Sequence, residues 1–335
     1  MKLIKATNIF TAVALTAACL PASATERGQL RALLGMPGQD MTAPLMPGFY
    51  LQTSLQSYSA DKYRDNDGNS PPQVSDPSLP GLKIKQDTSV RAQVLATRAT
   101  WLTESRLGEG RLGVSATLPL VNYEVETELS ADDVPAAMQA RVNAALASAG
   151  QASSGQKFGL GDIEVSPFID WQGESSRTAL AFGIVAPTGD YDKNRIANPG
   201  AGKFWTFRPV VTTGLVTESG WELGLRSTYN FNTRNTATDY RSGQYFHADG
   251  SVLYKLAESW RMGLQGYAII QTTNDSGPGA PSTGNKARAF ALGPAINWQD
   301  ENGELGLEFK VLPEFGVRNR PEGITSWARV LVRLD

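Results

Sequence analysis

The sequence predicts an all-β fold: a transmembrane, antiparallel, up-and-down β-barrel of about twelve strands, with a short helix in its second outer loop. Three observations predict it. Apolar residues recur at every second position through long stretches, short and long connections alternate, and a tryptophan stands beside each short connection. The stretch "ELGLEFKVLPEF", residues 304–315, shows the alternation: Leu305, Leu307, Phe309, Val311, Pro313 and Phe315 are separated mostly by charged or small residues. A period of two marks an extended strand with two unlike faces.

The chain opens with "MKLIKATNIFTAVALTAACLPASA". Lys2 and Lys5 form a basic region, Ile9 to Leu20 are apolar or small, and Ala22-Ser23-Ala24 is a cleavage pattern. This predicts a secretory signal peptide over residues 1–24, cut after Ala24. A lipoprotein cut at Cys19 fits less well, because Thr16 stands where an apolar residue is expected. Cys19 is the only cysteine and His247 the only histidine, so the mature chain is expected to hold no disulfide, cysteine nucleophile or multi-histidine metal site. Loss of Lys2 and Lys5 takes the charge from 31 − 33 = −2 to 29 − 33 = −4, which leaves no nucleic-acid footprint. Beyond the leader no apolar run is long enough for a helical span, as expected where only alternate residues touch lipid.

Residues 25–47 are too few for a domain. "GQLRALLGMPG" predicts one or two helical turns ended by Pro37, in a segment that is either periplasmic or a plug. The barrel is predicted over 48–335, in stretches near 48–60, 82–103, 111–125, 158–172, 177–190, 203–217, 221–235, 242–256, 260–274, 286–298, 304–317 and 323–334. Most exceed the strands of globular proteins and suit a tilted membrane crossing. The connections "ESRLGEG", "GESS", "ESG", "LAES" and "QDENG" are short, and those between them are longer, which is the asymmetry of an outer-membrane barrel. The longest, residues 126–157, contains "ADDVPAAMQARVNAALASAG", a predicted helix (131–149) capped by Asp132 or Asp133 and ended by Gly150; it either lids the pore or is inert.

Trp101, Trp171, Trp221, Trp260 and Trp298 stand beside the short turns, and Trp205 and Trp327 begin strands at the opposite rim, which predicts an aromatic girdle at each membrane interface. By the same alternation Leu305, Leu307, Phe309 and Val311 face lipid, and Glu304, Glu308, Lys310 and Glu314 the lumen. Arg329 and Arg333, Glu222 and Arg226, and Asp162, Glu164, Ser166 and Asp170 point inward on other strands. The candidate lumen or substrate-path residues are Tyr50, Asp162, Glu164, Phe168, Arg226, Tyr245, His247, Asp249, Tyr267, Glu308 and Arg329, a mixture of stacking surfaces and orienting polar groups. His247, Asp249 and Ser251 share one strand without a nucleophile motif, so they read as a hydrogen-bond cluster rather than a catalytic triad. "DKYRDNDGN" lacks the terminal Glu of a calcium loop and reads as a surface turn. No cofactor, metal or catalytic residue is predicted, and twelve strands imply a narrow or plugged pore.

Several stretches, in order along nearly the whole mature chain, resemble the phenol meta-pathway degradation (MetA-pathway) family of outer-membrane proteins. They are "ATERG", "PGFYLQTSLQSYSADKYRDNDGN", "LGVSATLPLVN", "GLGDIEVSPFIDWQ", "FGIVAPTGDYD", "NPGAGKFWTFRPVV", "NFNTRNTATDYRSGQYFHAD", "GLQGYAIIQTTND" and "ALGPAINW". The resemblance, with its distant similarity to fatty-acid and hydrocarbon transporter barrels, implies an outer-membrane channel for passive uptake of small hydrophobic or aromatic compounds. A lipid-acting outer-membrane enzyme and a sealed structural barrel are the alternatives. Expected partners are outer-membrane lipid and lipopolysaccharide, a small hydrophobic solute and the barrel assembly machinery. The end Arg333-Leu334-Asp335 departs from the aromatic terminus that this machinery reads.

Overall fold

The computed structural model describes residues 25–75, 82–282 and 284–334; the predicted signal peptide, 1–24, lies outside the described residues. Among the described residues fourteen strands are formed: β1 (Gly48–Arg64), β2 (Val74–Ser75), β3 (Lys83–Leu107), β4 (Gly110–Asp132), β5 (Gly155–Leu160), β6 (Glu164–Gln172) and β7 (Ser176–Val185) in the first half. The second half adds β8 (Thr206–Val216), β9 (Trp221–Asn232), β10 (Tyr245–Lys255), β11 (Trp260–Gln271), β12 (Arg288–Gln299), β13 (Leu305–Arg318) and β14 (Arg320–Arg333). All but β2 and β5 form one closed antiparallel barrel of twelve strands, each paired with its neighbour in sequence. The seam pairs the first strand with the last, from Tyr50 with Arg333 to Arg64 with Arg320. Closure leaves no open sheet edge, which a bilayer requires because it offers backbone groups no water.

All twelve predicted stretches are barrel strands, with instructive differences in extent. β3 and β4 have 25 and 23 residues and pair as far as Lys83 with Asp132, forming a ribbon at the long-loop end. The short strands β2 and β5 are added to its sides. The fourth stretch, read as 158–172, is broken between β5 and β6. There the Asp162 carboxylate accepts the backbone N–H of Gly189 and of Ala201, both at 3.0 Å, and ties the turn to the next loop. The fifth stretch ends at Val185 rather than at residue 190 for the same reason. The barrel ladder skips residues at Pro167, Pro209 and Pro313, where proline supplies no N–H.

The loop helix α1 (Gln139–Ala152) starts later than predicted, since Asp133 takes a positive φ of 59° and turns the chain before Pro135. Its Val142 and Leu146 bury against Leu82 and Ile84 of the ribbon. Gly150 lies so close to the Thr127 carbonyl that a Cβ would sit 2.7 Å from it. The helix therefore braces the ribbon. The "DKYRDNDGN" segment continues β1 to Arg64, and the Asp65 carboxylate then accepts the N–H of Asp67 and Asn69, the geometry of a surface turn.

The outer surface is apolar on strand after strand: Leu51, Leu55, Leu118, Phe182, Val211, Leu225, Val252, Leu264, Leu292, Phe309 and Val330 are all exposed. So broad an apolar belt has no place in water and fits lipid. Leu307 and Phe309 face out, whereas Glu308, Lys310 and Glu314 are buried within. Glu304 is corrected: it stands exposed in the turn before β13 instead of facing the lumen. Trp101, Trp205, Trp221 and Trp260 are 45–46% exposed on the outer face. Trp298 is paired across the ladder with Trp260, and Trp171 leans on Gly110. Trp327 is corrected too. It is 0% exposed and lies in the lumen, because β14 puts residues 325, 327 and 329 on one face and Arg329 fixes that face inward.

Candidate functional site

Residues 25–47 run through the lumen as a thread from the long-loop end to the short-turn end. At the first end the N–H groups of Thr25 and Glu26 meet Asp275 and Ser242; at the other the Pro47 carbonyl accepts from Arg333 as the chain turns into β1. The thread is irregular apart from two short 3-10 turns, Glu26–Gly28 and Gln39–Met41. A chain without helix or sheet must satisfy its backbone elsewhere, and here the wall does it. Trp327 Nε1 donates to the Leu34 carbonyl at 3.0 Å, Arg329 to Met36 at 2.9 Å, Lys310 Nζ to Pro37 at 2.7 Å and Gln172 to Leu45 at 2.7 Å. Arg208 donates to the Arg31 carbonyl and Arg177 to that of Asp40. In the other direction, Gly35 N–H donates to Asp249 and Gln39 N–H to Glu308, both at 3.0 Å.

Small residues let the thread come close. A Cβ on Gly214 would stand 2.3 Å from the Met41 carbonyl oxygen, and one on the paired Gly224 2.8 Å from the Met41 Cβ. Gly35 has a φ of +76° and packs against Leu312 and Tyr267. Around it Leu34 and Met36 join Tyr245, Tyr267, Ile269, Leu312 and Trp327 in an apolar core inside the barrel.

Buried charges hold both ends. Lys310, 0% exposed, sits 2.6 Å from Glu308, and Arg329 bridges Glu308 at 3.3 Å and Asp40 at 2.9 Å. Nearer the long loops, Arg31 faces Asp162 at 3.0 Å, donates to the Gly202 and Phe204 carbonyls, and lies over the Phe204 ring. Arg177 pairs with Asp170 and Arg208 with Glu164, each at 2.6 Å. In the loop above, a hydrogen bond from Arg195, with Lys157 nearby, holds the Asp190 carboxyl below its ordinary range.

Two spaces lie beside the thread, bordered by β1, β3, β4, β6 to β10 and β14. An upper cavity of about 210 Å³ lies toward the long loops, lined by Leu30, Leu33, Val94, Pro119, Val121 and Val185 together with polar groups that include Glu164 and His247. A lower cavity of about 110 Å³ lies toward the short turns, between Leu45, Tyr50, Phe168, Val210 and Leu331. Among the residues lining them, only Arg98 and Arg226 border both.

A family model described as "Putative MetA-pathway of phenol degradation" matches residues 60–330. The chain belongs to that family. The crystal structure of an outer membrane channel from Pseudomonas putida F1 superposes on this MetA-pathway family member with a TM-score of 0.66 at 14% identity, covering 89% of this chain and 99% of that one. Two further structures align more loosely. A Pseudomonas aeruginosa FadL homologue gives a TM-score of 0.44 at 10% identity over 94% of this chain and 99% of its own. The CymD monoaromatic hydrocarbon channel gives 0.43 at 10% identity over 96% and 97%. No curated protein sequence matches.

Within this MetA-pathway barrel the predicted lumen residues divide into two groups. Asp162, Glu164, His247 and Arg226 border the upper cavity, and Tyr50, Phe168 and again Arg226 the lower. Tyr245, Asp249, Tyr267, Glu308 and Arg329 point inward and are buried against the thread, and none of them borders either cavity. His247 Nε2 meets Asp249 at 3.2 Å, and that carboxylate also takes the Gly35 N–H. Sequence reasoning missed Arg98, Asp40 and Trp327 as lumen groups. The alternation Ala96, Arg98, Thr100 and the spacing of two between Trp327 and Arg329 were the available signals.

Proposed function

We propose that this protein is an outer-membrane channel for passive uptake of small hydrophobic or aromatic compounds, serving aromatic (phenol-type) degradation. The observation that carries the reading is the upper cavity: a partly apolar space of about 210 Å³ beside the thread, larger than the lower one. Engineered apolar cavities of about 150 Å³ accept benzene, so a substituted single ring suits this space. The lower cavity, about 110 Å³, is smaller than that, and passage requires the thread to shift. The family's link to phenol degradation and the likeness to an outer membrane channel support the same reading. No catalytic step belongs to it. The apolar belt sits in outer-membrane lipid, the long loops meet lipopolysaccharide, and the barrel assembly machinery inserts the chain.

The test is uptake in cells lacking the gene, with and without its restoration. A labelled aromatic compound at limiting concentration is compared with a small hydrophilic sugar. Gene-dependent uptake of the aromatic alone is the expected result. Uptake of both makes the protein a general narrow porin, and uptake of neither overturns the transport reading.

A further inference from the structure

We propose that Arg98 and Arg226 form an anion site where the two cavities meet, and that the solute is an organic monoanion: a carboxylate on a single ring or short apolar body. This rests on the channel reading and names its substrate class. Six arginines line the cavities: Arg31, Arg98, Arg177, Arg208, Arg226 and Arg320. Four are paired with carboxylates, Arg31 with Asp162, Arg177 with Asp170, Arg208 with Glu164 and Arg320 with Glu314. Arg98 spends one N–H on Thr117 Oγ1 at 3.1 Å, and Arg226 makes no hydrogen bond or ion pair among the described residues. They reach in from β3 and β9, well separated around the ring, and repel each other. The carboxylates within electrostatic reach of Arg98 are taken: Glu164 by Arg208 at 2.6 Å and Asp40 by Arg329 at 2.9 Å. Two like charges facing one space are relieved by an anion between them, and guanidinium forks match a carboxylate. Above them Leu33, Val94, Pro119 and Val121 offer the apolar body its place.

The experiment compares gene-dependent uptake of benzoate and benzyl alcohol, which share a ring and differ in charge. The double variant R98Q/R226Q is expected to lower the benzoate-to-benzyl alcohol ratio about ten-fold or more, as loss of charge-assisted hydrogen bonds implies, and R98K/R226K to keep most of it. An unchanged ratio overturns the anion site while leaving the channel standing. No gene-dependent uptake of either compound overturns the channel and this inference with it. Wild-type protein in a planar bilayer gives a reading independent of variant folding. Anion-selective current in a potassium chloride gradient, blocked by benzoate, is expected. Cation selectivity overturns the proposal, and so does an anion current indifferent to benzoate, which assigns the site to inorganic anions.

A separate observation carries a second inference. Thr25 N lies 2.8 Å from Asp275 Oδ2, with Thr25 2% and Asp275 6% exposed. That carboxylate also accepts from Tyr240 Oη, Gly243 N, Gln271 Nε2 and Asn285 Nδ2, yet no basic side chain pairs with it among the described residues. Burial and the bond to Asp275 push the Tyr240 phenol well above its usual range, so it stays a donor. Thr25 itself has φ 64° and ψ 157°, a conformation that side chains other than glycine adopt only under strain. The sequence predicts the leader cut immediately before it. We infer that hydrolysis of the Ala24–Thr25 bond by a leader peptidase makes the thread's own latch. Water adds across the bond, its hydroxyl going to the Ala24 carbonyl carbon and its proton to the Thr25 nitrogen. The resulting amine takes a second proton, the one released by the new Ala24 carboxyl, and the ammonium pairs with Asp275.

Mass analysis of the mature protein is expected to find Thr25 first. An amine-acylating reagent should leave that terminus unmodified in folded protein and modify it after heat unfolding in detergent. In D275N, checked for assembly by heat-modifiable gel mobility, the folded terminus should become reactive. A different first residue, or a terminus equally reactive in folded and unfolded wild-type protein, overturns the latch.

Discussion

Joining Thr25 directly to Met46, which removes the thread, raises single-channel conductance in planar bilayers by about an order of magnitude, because current through a pore follows its open cross-section. In the intact protein the two cavities, about 210 and 110 Å³, meet at a pair of arginines, and residues 25–47 with the side chains that hold them occupy the lumen beside these spaces. The wall does not depend on the thread for its backbone bonds, since the twelve barrel strands pair in a closed ring. The groups that the thread now covers, among them Lys310, Glu308 and Asp249, are polar and hydrate once it is gone. A barrel still gated shut after the deletion shows that the obstruction lies elsewhere, in the loops.

Glu308→Ala is the point change with the largest expected effect. Glu308 serves Lys310 at 2.6 Å, Arg329 at 3.3 Å and the Gln39 N–H at 3.0 Å. Its loss leaves Lys310, which is 0% exposed, without a carboxylate and halves what Arg329 holds. Breaking a buried ion pair from one side costs about 3–5 kcal/mol. The cost falls on the seated thread, so recordings should show open bursts of the size seen when the thread is deleted. Glu308→Gln, which keeps an acceptor for Gln39, should burst less. A silent Glu308→Ala channel with unchanged thermal stability means that the network does not anchor the plug.

The wall of this protein was legible in its sequence, whereas the thread was legible only as one of two alternatives, periplasmic segment or plug, and the difference is physical. Leu305, Leu307 and Phe309 alternate with Glu308 and Lys310 because each wall residue has a fixed outside and inside, and pairing is with chain neighbours. The thread has no such period. Leu34, Met36 and Pro37 are held through their carbonyls by Trp327, Arg329 and Lys310, partners nearly three hundred residues away that donate to any residue type. Trp327 was misplaced for a related reason: a tryptophan at a strand start reads as an interface residue until its neighbour at spacing two is weighed. The break at Asp162 is likewise a contact with another loop, invisible to a local pattern. Of the site, the inward residues were legible and their division between open space and plug was not, since that division is made by the thread.

The thread also sets the order in which this barrel can be made. Residues 25–47 descend the lumen and β1 climbs back along its wall, so residues 25–64 make a long hairpin with one arm in the lumen and one in the sheet. The seam then joins Tyr50 to Arg333, the two ends of the wall, and carries the greatest loop-closure cost of any strand pair. A ring that closes over its own leading arm has its passenger aboard before the last bonds form. A ring that closes empty must draw the arm up past Arg329, Lys310 and Arg208, each of which binds it. On that second route the arginines and lysine that hold the finished thread would also be a row of holding points along its passage.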